Sequence, residues 1–596
     1  MRMEELKLKL INETEKQKQI IHPSFRLWLS LKGRPATEFP LELLRHSIKI
    51  AVEQSQTLQM NMLRLYQKMP ASVLQIQSHH NLDSFKRLLF GLSFMHSSLV
   101  SRSKFQTFMN VNIARVKDDQ GSLEDNDFEV ASAILKLFTS KYERIPWWAL
   151  KYMLELQYAN HSLAITELRV VTTYLNKIFC EEALSNQDFK FSSTAPNLIM
   201  PPTGISSLRN GDLSSYHNFI TSNYPSSDDD PEIYGLDPYV GVARNVHQAH
   251  RIFHPFQQLL MRNIKLEKMK QQQEQVVQNE CVATAEQVQA QQSSSQKQNS
   301  QGRANLMMRM VLVDDELDKT LTKIAFILKQ LPKPVDESPL KKKMHENLKP
   351  CDQPLYYVLL LELRQYENLV KTVTSLLQIL NEAIQGHDHA MTDEMSLLFD
   401  CVNKNIVPEW WQKDYSNTND LGCWLKDLKV RVNQINCLAL SPTLPTTVWL
   451  GGFIYPKAFL TAVLQRAARE CGKPISQLCW NFKISNERDE LNSKTASEGI
   501  CVEGMYLLGA NWDTENAYLK ESLPFDYSVE MPPVQLIPVE TIEKIHSDIY
   551  EAPCYKDCSP INNSSLVCWI DLNPGKDTID NWILRNVTVL LINPAK

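Results

Sequence analysis

A chain of 596 residues is long enough for several domains and too long for one hydrophobic core. Its 43% hydrophobic and 22% charged residues fit a folded globular protein. A net charge of -5 argues neither for nor against a nucleic-acid partner, but no basic stripe interleaved with aromatics is present and no such partner is expected. The 12 cysteines are scattered, with no Cys-x-x-Cys pair, and read as reduced thiols of an intracellular protein. The charged stretch MRMEELKLKL offers no apolar core for a secretory signal, and the longest apolar runs, 355–361 and 587–592, are too short to cross a bilayer. The expectation is a soluble, cytosolic protein with no membrane partner.

Residues 1–20 are charged and helix-prone. Phe25, Leu27 and Leu29 then alternate with Arg26, Trp28 and Ser30, a short strand pattern before a turn at Gly33 and Pro35. From Asp83 to Val100, Phe85, Leu88, Leu89, Leu92, Phe94 and Met95 give a helix with a broad apolar face. His96 lies on it without a second ligand four residues on, so it reads as a core histidine rather than a ligand or base. Asp228, Asp229 and Asp230 lack the alternating ligands and fixed glycine of a calcium loop, and a solvated helix start is favoured. Residues 265–303 are rich in Gln and Ser and cannot bury enough apolar area to offset chain entropy, which predicts a disordered linker.

Helical patterns return from Asp314, ending at Pro332 and Pro334, and continue over Leu355–Leu380, Met391–Phe399 and Leu421–Val432. In the stretch Val448–Asp513, Phe459, Leu460, Val463, Leu464 and Ala467 form one helical stripe that starts at Pro456 and stops at Gly472 and Pro474. The period then changes to two. Leu478, Trp480, Phe482 and Ile484 predict a strand, and the run from Ile500 through Leu507 a hairpin partner for it. Val534 and Leu536 suggest an edge strand among prolines, and Leu566, Cys568, Ile570 and Leu572 a further strand. The fold class expected is α+β, mostly helical: lid-like helices, a helical bundle, then a small antiparallel β-barrel.

Several of these words resemble one family. Val448–Phe453 (VWLGGF), Pro456–Gln465 (PKAFLTAVLQ) and Gly504–Asp513 (GMYLLGANWD) are similar, in that order, to the C-terminal domain of dynein heavy chains. So are Leu359, Leu360 and Glu362 of a Leu-Leu-x-Glu helix, and Val407, Pro408 and Trp411 of a Val-Pro-x-x-Trp turn. Phe85–Leu92 (FKRLLFGL) resembles the start of the helical lid of the sixth AAA+ module, and His22–Leu29 its last strand region. The resemblance implies residues 1–75 as a remnant of that module's large part, 76–262 as its lid, 263–305 as a linker, 306–440 as the helical part of the C-terminal domain and 441–596 as its β-barrel part. The chain departs from the family where Ala159–Ile165 replaces a Gly-Gly-Arg-Val-Thr-Asp-Asp run, near Met109–Val111, and at Ala552 and Asp557.

No residue emerges for chemistry. Gly472-Lys473 is followed by Pro474 and Gly575-Lys576 by Asp577, so no P-loop with its Ser or Thr stands here. There is no Gly-x-Ser-x-Gly elbow, His-Glu-x-x-His helix or paired-cysteine cluster, and no catalytic, cofactor-binding or metal residue is assigned. Trp449, Trp480, Trp512, Trp569 and Trp582 read as core anchors rather than base-stacking platforms. By resemblance the chain is the non-catalytic end of a dynein heavy chain. It would dock on and tune the AAA+ ring of a minus-end-directed microtubule motor, with ATP and magnesium bound by other modules. Intermediate, light intermediate and light chains are then expected partners, with microtubules met indirectly. The departures and the Gln-rich insertion point to an axonemal or flagellar setting within the cytoskeleton. The rival reading is a free-standing, motorless scaffold or interaction protein.

Overall fold

The computed structural model describes residues 57–70, 81–109, 123–159, 165–201, 213–225, 230–246, 317–332, 351–385, 392–412, 420–440, 447–484, 499–523, 528–540, 549–556 and 566–591, less a few positions inside them, with isolated residues between 26 and 50 and between 248 and 260. The expected linker, Asp228 and Asp229, the Asn160–Ala164 and Asp557 departures, and Phe25 and Leu27 of the first expected strand lie outside these residues. Arg26, Trp28 and Leu29 are described, without strand structure.

The N-terminal half is built on one helix. α1 (Leu58–Lys68), α2 (Leu82–Met109), α3 (Asp125–Lys141), α4 (Trp147–Ala159), α5 (Ile165–Ile178), the single turn α6 (Glu181–Ser185) and α7 (Leu213–Asn223) follow in order. α2 is buried on every face at each described residue from Phe85 to Arg102, its polar side chains included. α1, α3, α5 and α6 pack directly on it. Several of its buried polar side chains find partners inside the protein. The Arg87 Nη2 and Nε donate to the carbonyls of Asn186 and Ala183, and Ser93 Oγ donates to Phe90 O at 2.7 Å. His96 is buried with Nδ1 3.1 Å from Tyr158 Oη, the core histidine expected.

The C-terminal half begins with helix α8 (residues 317–330), then α9 (Gln353–Ile384), α10 (Asp393–Lys404) and α11 (Leu421–Leu440). Thr392 caps α10 by accepting from Met395 N at 3.3 Å, and Asn405 ends it at φ 57°. α12 (Pro456–Cys471) starts and stops where its sequence predicts, with Pro456 in the first turn and Gly472 at φ 66°. α13 (Ile579–Arg585) is the last helix described. None of the described helices is long and apolar enough to cross a membrane.

The strands are β1 (Thr447–Trp449), β2 (Leu478–Ile484), β3 (Ile500–Glu503), β4 (Met505–Leu508), β5 (Asn511–Asp513), β6 (Tyr518–Lys520), β7 (Ser528–Glu530), β8 (Val534–Glu540), β9 (Tyr550–Tyr555), β10 (Leu566–Leu572) and β11 (Thr588–Leu591). They form a four-stranded sheet in the order β1-β3-β8-β2, a five-stranded sheet in the order β10-β9-β11-β4-β7, and the ribbon β5-β6. Among the described residues these sheets are mixed and do not close into the small antiparallel barrel expected. β1 pairs parallel with β3, and β9 with β11, because α12 lies in the first connection and α13 in the second, and parallel neighbours need such a crossover.

Two further expectations are corrected. β2 is not the hairpin partner of β3, since both flank β8 from opposite sides. The continuous run Ile500–Leu507 is cut by Gly504, at φ 74°, which sends β3 into one sheet and β4 into the other. β8 is interior rather than an edge over Val534–Leu536, but Pro538 lies opposite Trp480 beyond the reach of β3, so its missing N–H breaks no ladder on that side.

Candidate interdomain interface

The described residues form two hydrophobic cores, and one of them joins distant parts of the sequence. The first gathers the helices up to residue 240 and takes in Leu508, Tyr555, Leu584 and Leu590 from the C-terminal half. The second gathers α8–α12 and the inner faces of the sheets. These four residues from the C-terminal half mark a seam along which α5 packs against α13.

Arg102 is the polar centre of this seam. It lies near the end of the all-buried part of α2, with 6% of its surface exposed, so its guanidinium must find partners inside. It donates from Nη1 to Tyr234 O and from Nη2 to Leu584 O at 2.8 Å, spanning 482 positions of sequence. Tyr234 closes a short 3-10 turn (Pro231–Tyr234) and Leu584 is in the last turn of α13, so both carbonyls are among those a helix end leaves unsatisfied. Tyr174 Oη also donates to Tyr234 O at 3.1 Å. Burial pulls Arg102 below its ordinary pKa, an effect that neighbouring Tyr174 and Glu167 oppose.

A second contact lies at α5. Arg169 Nη1 donates to Glu551 O at 2.8 Å, and its guanidinium stands 5.0 Å from the centre of the Trp569 ring and 5.5 Å from that of Tyr550. Trp569, expected only as a core anchor, thus presents a face to the other half of the molecule.

Beside the Arg102 contact is a cleft of about 190 Å³, lined among others by Lys177, Glu232, Asp237, Glu521, Asn581 and Arg585. Several of its polar groups find partners within the molecule. Arg585 pairs with Glu521, Ser522 Oγ donates to Asp237, and the Lys177 ammonium, lowered by burial, is offset by Asp580.

Gly235 fixes how closely the halves approach. It follows the Pro231–Tyr234 turn at φ 75°, and a Cβ there would lie 2.9 Å from Leu584 Cβ. Gly235→Ala is expected to cost about 1–3 kcal/mol through backbone strain and displacement of α13. Urea denaturation of the full protein tests this, and an unchanged midpoint would contradict it.

One group of side chains among the described residues has metal-ligand spacing: Cys351, Asp352 and Glu470. Arg466 Nε already stands 2.9 Å from Asp352 and 3.1 Å from Glu470, so a guanidinium supplies the positive charge. Asp230, the described member of the aspartate triplet, precedes the 3-10 turn, with Pro231 at its start.

Comparison with known proteins decides the family. Residues 271–591, more than half of the sequence, match the C-terminal domain of dynein heavy chains, and residues 85–240 match the AAA lid domain of dynein heavy chains. The protein belongs to the dynein heavy chains. It is similar to dynein axonemal heavy chain 2 of Mus musculus (32% identity) and to the dynein-1-beta heavy chain of the flagellar inner arm I1 complex of Chlamydomonas reinhardtii (30% identity). Each match covers 96% of this chain and 11% of the relative, so the chain spans about a tenth of these relatives' length. In this dynein heavy chain, Arg102, Arg169 and Gly235 stand within the lid match, and Leu584, Glu551 and Trp569 within the C-terminal domain match. The seam is the joint between lid and C-terminal domain.

None of the seam's polar residues is assigned by sequence reasoning. An arginine on a helix with so broad an apolar face is the one available signal for Arg102, but its carbonyl partners are nonlocal and backbone, hence invisible in side-chain patterns.

Proposed function

We propose that this protein is the non-catalytic C-terminal portion of an axonemal dynein heavy chain, which docks on the AAA+ ring and tunes it within a minus-end-directed microtubule motor. The hydrogen bonds by which Arg102 joins lid and C-terminal domain carry this reading, because they give a lid movement a direct route to the C-terminal domain. ATP and magnesium belong to other modules of the heavy chain. Its partners are the ring and the intermediate, light intermediate and light chains, and it meets microtubules only through the rest of the motor. Cilia or flagella are the expected location.

The free-standing scaffold predicts that the first apolar residues are covered, whereas a ring-docking portion leaves them for a neighbour. Trp28 is 76% and Leu29 45% exposed, and Ile48 and Ile50 are exposed as well, which supports ring docking. The test is the native size of the protein in a ciliated-tissue extract, by immunoblot with an antibody against residues 528–591. A band of several hundred kilodaltons is expected. A band near 68.6 kDa would overturn the reading in favour of the scaffold.

A further inference from the structure

We propose that Cys554 and Cys568 form a redox-active pair, a modification site that glutathione disulfide, or another low-molecular-weight disulfide, converts into a cross-strand disulfide. β9 and β10 run antiparallel with Cys554 directly opposite Cys568. Directly opposed residues in such a pair have Cα atoms about 4.5 or 5.5 Å apart, and both values lie in the range of about 4.4–6.8 Å that a disulfide spans. Opposed side chains leave the sheet on one face, here the core face that Ile570 and Ala552, and Leu572 and Tyr550, also share. The ladder slips by one residue between Leu566 and Cys568, and without that bulge Val567 would stand opposite Cys554 instead. The two thiols are also within hydrogen-bond contact.

The burial of the pair sets the order of steps. Cys568 is half-buried and Cys554 fully buried, so Cys568 meets the reagent first. Its thiolate attacks one sulfur of glutathione disulfide, forming a mixed disulfide and releasing one glutathione thiolate. Cys554 is held well above the ordinary thiol pKa by its hydrogen bond to Cys568 and by burial, and the first step removes that hydrogen bond. The Cys554 thiolate then attacks the Cys568 sulfur and expels the second glutathione thiolate. Two protein thiols lose two electrons, one glutathione disulfide gains them, and the two protons pass to the leaving thiolates.

The new bond would staple together the two strands that receive Arg169, since β9 carries Glu551 and β10 carries Trp569. Redox state would thereby set the stiffness of the lid joint.

The full protein, incubated with glutathione disulfide or with dithiothreitol, is denatured, alkylated with iodoacetamide and mapped by mass spectrometry. The expected result is a linked Cys554–Cys568 peptide and loss of alkylation at both positions, reversed by dithiothreitol. Cys554→Val should leave Cys568 trapped as the glutathione adduct. Full alkylation of both cysteines after oxidation would overturn the proposal, as would a Cys568 linked instead to Cys558 or another thiol.

Discussion

Arg102→Met is expected to lower the stability of the full protein by about 3–5 kcal/mol and to split one unfolding transition into two. The substitution keeps much of the side chain's length and apolar stem but removes both donors. Two hydrogen bonds from a charged group are lost, at about 1.5–3 kcal/mol each; Tyr234 O keeps the Tyr174 hydroxyl, whereas Leu584 O loses the Arg102 donor inside the protein. Because these carbonyls belong to different halves of the molecule, the loss falls on the joint rather than on either core. The lid helices and the C-terminal domain should therefore unfold at separate urea concentrations, read by circular dichroism and tryptophan fluorescence in parallel. Arg102→Lys should fall between, since a single ammonium lacks the fork that reaches two carbonyls at once. A change below about 0.5 kcal/mol, the ordinary range for a surface substitution, would show that the seam does not depend on this residue.

Glu362→Ala should be nearly as damaging, by about 2–5 kcal/mol, but within the C-terminal domain. Glu362 lies fully buried on α9, where it accepts from Ile454 N at 2.8 Å and Tyr455 N at 2.6 Å. These amides immediately precede α12, whose cap residue Tyr455 makes no capping hydrogen bond of its own, so a distant carboxylate serves instead. The same segment is held by Tyr366 Oη donating to Gly452 O at 2.7 Å, by Lys556 Nζ donating to Ile454 O at 2.7 Å, and by Arg431, which donates to Gly451 O while bonded to Asp427. Burial raises the Glu362 pKa above its ordinary 4.5, although the two amides, Lys556 and Arg431 oppose the rise. The folded state therefore binds this proton more tightly than the unfolded state. Its contribution is fully present below pH 4.5 and is lost as pH rises through the raised value. Urea midpoints of the wild type and Glu362→Gln, compared from acidic to neutral pH, should show the wild type losing ground as pH rises. A difference that does not change with pH would refute the assignment.

The sequence by itself determined the elements and their ends. The stripe from Phe459 to Ala467, bounded by Pro456 and Gly472, is α12, and the alternation from Leu478 to Ile484 is β2, because periodicity and breakers act within a few residues. The ordered family words, from Phe85 to Asp513, made the dynein heavy chain family legible as well. Only the tertiary structure decided which strands meet. An alternating pattern states which face is buried, but not the neighbour or its direction, so the run across Gly504 read as one strand and β2 read as the partner of β3. It alone also decided the joint. The partners of Arg102 and Glu362 are backbone groups 482 and 92 positions away, and a backbone carbonyl or amide carries no mark in the sequence of the side chain that will satisfy it.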